Sequence, residues 1–343
     1  MKKLILAAAA LTLPVSLAAQ EAPEGPPSPG QIVDAASSEE WVTISAEDLL
    51  VMTLAPDAEE DPREVVIQLM PAPFSQGWVE NIRTFARAQW YDGISVNRVQ
   101  DNYVVQWGDP NYDNPEADGE VKLLPEGLKV MGEDDYASDY EIKYLMERNK
   151  PTEVVIEPPF VRIKGDENYG ESAFSLGWPV VISDVQRRRG SLRAENGSMH
   201  PVHCYGMVGV GRNYSPDTGT GAELYTVIGH APRHLDRNIA LVGRIISGMQ
   251  HLSSLPRGNG VLGFYSEDEL DKRTPILSVR IVSDLPADEQ PAYHYLSTDS
   301  ETFAKYANAR ANRRDPFFIH PAGGADICNI PVPIRPIEIE DEE

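Results

Sequence analysis

Residues 78–110 read WVENIRTFARAQWYDGISVNRVQDNYVVQWGDP, and the change of period inside this stretch decides the fold class. Trp78, Ile82, Phe85 and Ala86 recur at helical spacing. This predicts a helix from Ser75, whose hydroxyl is a candidate cap, to about Gln89, with one apolar face. Tyr91-Asp92-Gly93 is a turn, and Ser95–Val99 and Tyr103–Trp107 have the length and content of short strands. Upstream, Leu49–Ala55 and Glu64–Met70 flank an acidic, Pro-containing turn and predict a hairpin. Downstream, Val202–Val210, Glu223–Ile228, Ala240–Ile246 and Ile276–Val282 are further strand-like runs. Many short strands with one early helix predict a mainly β chain, a closed barrel capped by helices.

The remaining text sorts around that core. Met1 to Gln20 reads as an export signal: Lys2 and Lys3, an apolar run from Leu4 to Leu13, then Pro14 and small residues. That run is shorter than the roughly 20 residues a membrane span needs. The chain is therefore expected to be exported, periplasmic or secreted, with no membrane insertion once the signal is cleaved. Residues 21–40 begin with a Pro-rich run and are expected as a linker. The stretch 110–199 reads as an irregular insertion holding one helix, Asp139–Arg148, one strand, Val154–Ile156, and a basic cluster, Arg187-Arg188-Arg189. Its Phe160, Phe174 and Trp178 predict that it packs back on the barrel. Residues 286–343 form an extension with one helix, starting near Asp299, and an acidic tail.

Composition narrows the function. The 343 residues carry 30 Lys+Arg against 53 Asp+Glu, a formal charge of −23. Such a balance excludes a phosphate-backbone reader, so no nucleic acid is expected, and disfavours anionic lipid. Two cysteines, Cys204 and Cys328, exclude a zinc site of four thiolates. Export permits a bridge between them, but spacing says nothing about their distance. His200 and His203 lack an evident third ligand, and no HExxH or GxSxG occurs, so neither a metal nor a nucleophile elbow is expected. Gly206, Gly209 and Gly211 lack the lysine of a phosphate loop, and no cofactor is implied.

Two composite segments carry a resemblance. In the first stand Glu80-Asn81-Ile82, Tyr91-Asp92-Gly93, Arg98-Val99 and Tyr103 through Asp109. In the second, Gly221–Met249, stand Leu224-Tyr225-Thr226, His234-Leu235-Asp236 and Val242-Gly243-Arg244. Their order and spacing resemble the cyclophilin family of peptidyl-prolyl isomerases over about Leu49–Pro110 and Val202–Val282. The resemblance implies a cyclophilin-like domain over 41–285, interrupted by the insertion, and an isomerase acting on X-Pro segments of exported polypeptides. It implies Arg98 and Gln106 as catalytic residues, and Tyr103, Val104, Glu223, Tyr225, His234 and Leu235 as substrate-binding residues.

The chain also departs from the family pattern. Asn97 stands for a histidine, Trp107 for a glycine, Glu223 for a glutamine, Tyr225 for the phenylalanine flooring the pocket, and Ile239 for a histidine. A carboxylate at 223 could pair with Arg98 and blunt it, and a buried Tyr225 hydroxyl needs a partner. Glu223 and Tyr225 favour an alternative, a weakly active or inactive chaperone or protein-binding module on the same barrel, whereas the retained Arg98, Gln106 and Tyr103 favour the isomerase.

Overall fold

The computed structural model describes residues 25–109, 111, 119–141, 143–144, 154–155, 161–162, 171–183 and 196–338. The stretch expected as an export signal, residues 1–20, with Phe160, Arg187-Arg188-Arg189 and the last acidic residues, lies outside the described residues.

Eight antiparallel strands close a barrel: β1 Leu49–Leu54, β2 Arg63–Leu69, β3 Ser95–Val99, β4 Val104–Gly108, β5 Met207–Val210, β6 Leu224–Val227, β7 Leu241–Ser247 and β8 Thr274–Ile281. Around the barrel they run β5-β6-β4-β3-β8-β1-β2-β7, and β7 pairs back on β5. The fold class and the strand runs read from sequence are these, with ends moved by a residue or two, except that the run expected from Val202 starts only at Met207, after a turn through Gly206. Among the described residues four α-helices accompany the barrel: α1 Pro29–Asp34, α2 Gln76–Arg87, α3 Gln250–Ser253 and α4 Glu301–Ala311. Helix α2 lies against β7 and β8. It buries Trp78, Ile82 and Phe85 completely, each contributing about 1.5–3 kcal/mol. Ser75 precedes it with φ of 50° and makes no side-chain cap; instead the Gln76 amide donates back to the carbonyls of Met70 and Phe74.

Period 2 sorts the strand faces. In β4, Val105 and Trp107 enter the central core, whereas Val104 joins Tyr225 and Val227 of β6 in a separate outer cluster. Trp107, where the family pattern has glycine, fills the barrel at 1% exposure. In β3 the pairing with β4 skips between Val96 and Arg98, so Asn97 is the extra residue of a bulge. Val96 and Val99, three apart, therefore both face the core, and Arg98 is turned outward opposite Gln106.

The insertion is more regular than its sequence suggests. Ser138–Glu141, Asn196–Pro201, Trp178–Ser183, Glu171–Ser175 and Val161–Arg162 make a five-stranded sheet. The helix expected over Asp139–Arg148 is absent from its described part: Ser138–Glu141 and Lys143–Tyr144 are strands. Ser138–Glu141 pairs with residues 196–199, some sixty positions later, and that long-range ladder overrides local preference. Trp178 and Phe174 enter the main core, and Phe174 meets Phe303 of α4 edge-on at 5.0 Å. The insertion thus packs back on the domain.

The expected linker also holds structure where it is described. Pro29 opens α1, and Ser28 and Gln31 form a capping box that satisfies the free amides of its first turn. Helix α1 rests on α4. Trp41–Thr43, Tyr293–Leu296 and Ile334–Pro336 form a third sheet. A disulfide joins Cys204 to Cys328, fastening the extension to the loop before β5.

Candidate active site

The bulge in β3 sets up the site. With Arg98 opposite Gln106, Gln106 opposite Tyr225, and Tyr225 opposite Gly209, four residues of four adjacent strands stand in one row on the outer barrel face. Over this row lies an open groove of about 630 Å³, lined by Arg98, Tyr103, Val104, Gln106, Tyr225 and Leu235. The loop 211–214, Ile239, Leu262 and Phe264 complete its walls.

Arg98 is held as a rigid fork. Its Nε donates to the Leu262 carbonyl at 2.7 Å and its Nη1 to the Gln106 side-chain oxygen at 3.0 Å. Its Nη2 donates to Gln100. A guanidinium has five N–H groups, so about two remain for a ligand. The guanidinium carbon stands 5.4 Å from the Phe264 ring and 5.7 Å from Tyr103. Burial lowers its pKa from the ordinary value, with Tyr103 and Glu223 acting the other way; an arginine so shifted is still charged at neutral pH. Leu262 adopts φ of 55° and ψ of 16°, a left-handed conformation costing about 1 kcal/mol for a branched residue. That backbone brings its carbonyl to Arg98.

Glu223 does not pair with Arg98. It is 1% exposed, is absent from the groove lining, and accepts from the Gln106 side-chain amide. A carboxylate only accepts, so it fixes the Gln106 nitrogen inward and the oxygen toward Arg98. His234 is likewise not in the lining; it is exposed and stacks behind Tyr103, ring centroids 6.4 Å apart. The other six residues named from the resemblance share the groove.

The Tyr225 hydroxyl finds the partner its burial requires. It lies 2.9 Å from His203 Nε2, and His203 Nδ1 lies 2.8 Å from Asp236. Asp236 also accepts from Arg233 Nε at 2.8 Å. Burial by itself raises the Asp236 pKa, but hydrogen bonds from His203 and Arg233 outweigh it and hold the carboxyl below its usual range. Asp236 is therefore the acceptor, His203 carries its proton on Nδ1, and Tyr225 donates to Nε2. Burial lowers the His203 pKa and raises that of Tyr225 well above 10. The ring crosses Gly209 so closely that a Cβ there would strike it, which explains a glycine inside β5. His203 was legible only as one of a histidine pair. Among the described residues, no group of three metal-ligating side chains forms.

The groove therefore offers an apolar socket, a fixed cationic donor beside it, and open ends, a set suited to gripping a ring and donating to an atom at its edge. Comparison with protein families matches residues 63–282 to the family described as cyclophilin type peptidyl-prolyl cis-trans isomerase/CLD, more than half of the chain. Among solved structures, cyclophilin AquaCyp293 from Hirschia baltica is similar, with TM-score 0.58 and 19% identity over 89% of this chain and 99% of that one. A cyclophilin-type isomerase of Cryptosporidium parvum, solved in the presence of the dipeptide Ala-Pro, aligns at TM-score 0.33 and 10% identity, covering 67% of this chain and 98% of that one. No curated protein matches the chain.

Proposed function

We propose, from the premise that this chain belongs to the cyclophilin-type peptidyl-prolyl cis-trans isomerase family, that it is itself an active isomerase. Its proposed substrates are X-Pro segments of exported polypeptides, whose folding it assists. The X-Pro amide turns slowly because resonance must be broken, a barrier of about 20 kcal/mol. Rotation returns a lone pair to the prolyl nitrogen. A donor already in place stabilises that state more than the planar amide, and this difference is the catalysis. No covalent intermediate is needed.

The residues take their parts from the geometry. Tyr103, Val104, Tyr225, Leu235 and Ile239 wall the socket for the ring. Arg98 supplies the donor, and its three bonds to neutral acceptors fix its direction before a substrate arrives. Gln106 positions Arg98, Glu223 positions Gln106, and His234 backs Tyr103. The observation that carries the reading is the row Arg98–Gln106–Tyr225 on one open face beside an apolar socket. Glu223 and Tyr225, the departures that favour a purely binding module, are both engaged in internal hydrogen bonds and leave Arg98 unblocked. Export is supported by the apolar leader in the sequence and by the Cys204–Cys328 disulfide, a bond at home in oxidising compartments.

The test is cis-trans exchange of an Ala-Pro peptide followed by NMR. Wild type is expected to accelerate it, and Arg98→Ala to lower kcat/KM about 10²–10³-fold, the usual effect of losing one preorganised donor. Equal rates for the two proteins would remove Arg98 from the mechanism, and no acceleration by wild type would leave only binding.

A further inference from the structure

We infer that the groove selects X-Pro segments carrying an acidic side chain within a few residues of the proline, and that Arg212 is the residue that selects them. This rests on the groove being the peptide site proposed above. The chain carries 53 acidic against 30 basic residues, so a groove lined at random would hold more carboxylates than cations. The reverse is found. Arg98 and Arg212 are the charged residues among its described lining, and no Asp or Glu joins them.

Arg212 is half-buried and pre-set much as Arg98 is. Its Nε donates to the Asn238 carbonyl at 2.9 Å and its Nη1 to the Asn213 carbonyl at 2.6 Å. Both acceptors are neutral, and among the described residues no carboxylate lies within ion-pair reach of it. The acidic residue of its own loop, Asp217, spends both oxygens on backbone amides, accepting from Asn213 and Gly219 at 2.9 Å each. A fixed fork with unused N–H groups, facing a groove and without a counter-ion among the described residues, matches a carboxylate.

The spacing sets where that carboxylate sits. Arg98 and Gly209 are three strand steps apart in the cross-strand row, roughly 14 Å. Arg212 leaves the barrel just past the end of β5. An extended chain advances about 3.3–3.6 Å per residue, so it crosses from Arg98 to the Gly209 position in roughly four residues, which sets the scale of its reach to Arg212 on the same groove wall. The buried Glu223 accepts from Gln106 and is absent from the groove lining, so it makes no contact with such a ligand.

The experiment uses the full chain and C-terminally amidated peptides, so that a side-chain carboxylate is the sole source of negative charge. Glu, Gln or Lys is scanned over four positions on either side of an Ala-Pro core, and both affinity and exchange rate are read by NMR. At one or more positions Glu should bind about three- to tenfold tighter than Gln at low salt, the gap shrinking as ionic strength rises. Arg212→Gln should bring the Glu/Gln ratio near one, and Arg212→Glu should turn the preference toward Lys. Equal affinity for Glu and Lys throughout, or a preference that survives Arg212→Glu, overturns the inference while leaving isomerisation of the neutral peptide intact. Charge selection that follows Arg212 in a protein without exchange activity supports it and removes only the catalytic reading.

Discussion

Replacing Tyr225 by phenylalanine, the residue the family pattern carries there, should destabilise this protein. The reason is the buried chain behind the ring. The Tyr225 hydroxyl donates to His203 Nε2 at 2.9 Å, and His203, 1% exposed, is held at its other nitrogen by Asp236 at 2.8 Å. His203 cannot turn to find water, so Tyr225→Phe leaves a buried acceptor unmatched, a loss of about 1–3 kcal/mol. The phenylalanine no longer desolvates a hydroxyl, which offsets part of this, so the net is about 1–2 kcal/mol. For a folded unit this large, each kcal/mol moves the melting temperature by about 2 °C, so a fall of about 2–4 °C is expected. Thermal unfolding followed by near-ultraviolet circular dichroism reads it. Gly209→Ala is the companion variant: its methyl would strike the ring and should destabilise at least as much. An unchanged or raised melting temperature for Tyr225→Phe would refute the argument, because the hydroxyl would then hold nothing.

Other consequences are as direct. Trp178→Ala, at a fully buried residue joining insertion and barrel, should cost about 3–5 kcal/mol and expose the insertion to limited proteolysis; an unchanged digestion pattern would show that the insertion is anchored elsewhere. Cys328→Ser opens a loop spanning 124 residues and should lower stability by about 2–5 kcal/mol, read as a lower denaturant midpoint, with loss of protection in α4 by hydrogen exchange. His200 is buried with its pKa pushed down to about 4 by desolvation. The unfolded histidine takes its proton near pH 6.5 and the folded one does not, so falling pH favours the unfolded state. Between pH 6.5 and 4 this histidine should withdraw roughly 3 kcal/mol. The measure is the melting temperature of wild type against His200→Gln across that range, so that discharge of the acidic surface cancels; parallel curves would contradict the shift. Glu223→Gln frees the Gln106 amide to flip, because glutamine both donates and accepts. It should lower kcat about two- to tenfold with a smaller effect on KM, as expected of a group acting through Arg98.

How much was legible from the chain varies by element. The hairpin of β1 and β2, helix α2 and the strands around Arg98 and Tyr225 announce themselves through local period, because a half-buried strand or helix must alternate or recur to keep one side dry. The segments Glu80–Asp109 and Gly221–Met249 likewise carry their resemblance in local order. The insertion escaped that reading. Ser138–Glu141 pairs with residues 196–199, some sixty positions on, so the helical content of residues 139–141 is overruled by a distant partner strand, although Glu171–Ser175 and Trp178–Ser183 form a local hairpin. The linker misled for the opposite reason, since the three prolines and two glycines of residues 25–30 suit an extended chain as well as the start of α1.

The site divides along the same line. Residue order alone carried the resemblance that names Arg98, Gln106 and their apolar neighbours, and period 2 in β4 separates Val104 and Gln106 from Val105 and Trp107, whereas the bulge that turns Arg98 outward appears only in the folded pairing. Tertiary structure alone decided the rest. It placed Leu262, Phe264, His203 and Arg212 at the groove or behind it, put Cys204 beside Cys328, and aimed Glu223 at Gln106 rather than at Arg98. These partners come from separate parts of the chain, and only closure of the barrel sets which of them meet. Contacts of that kind depend on distance in space, on which a one-dimensional pattern is silent.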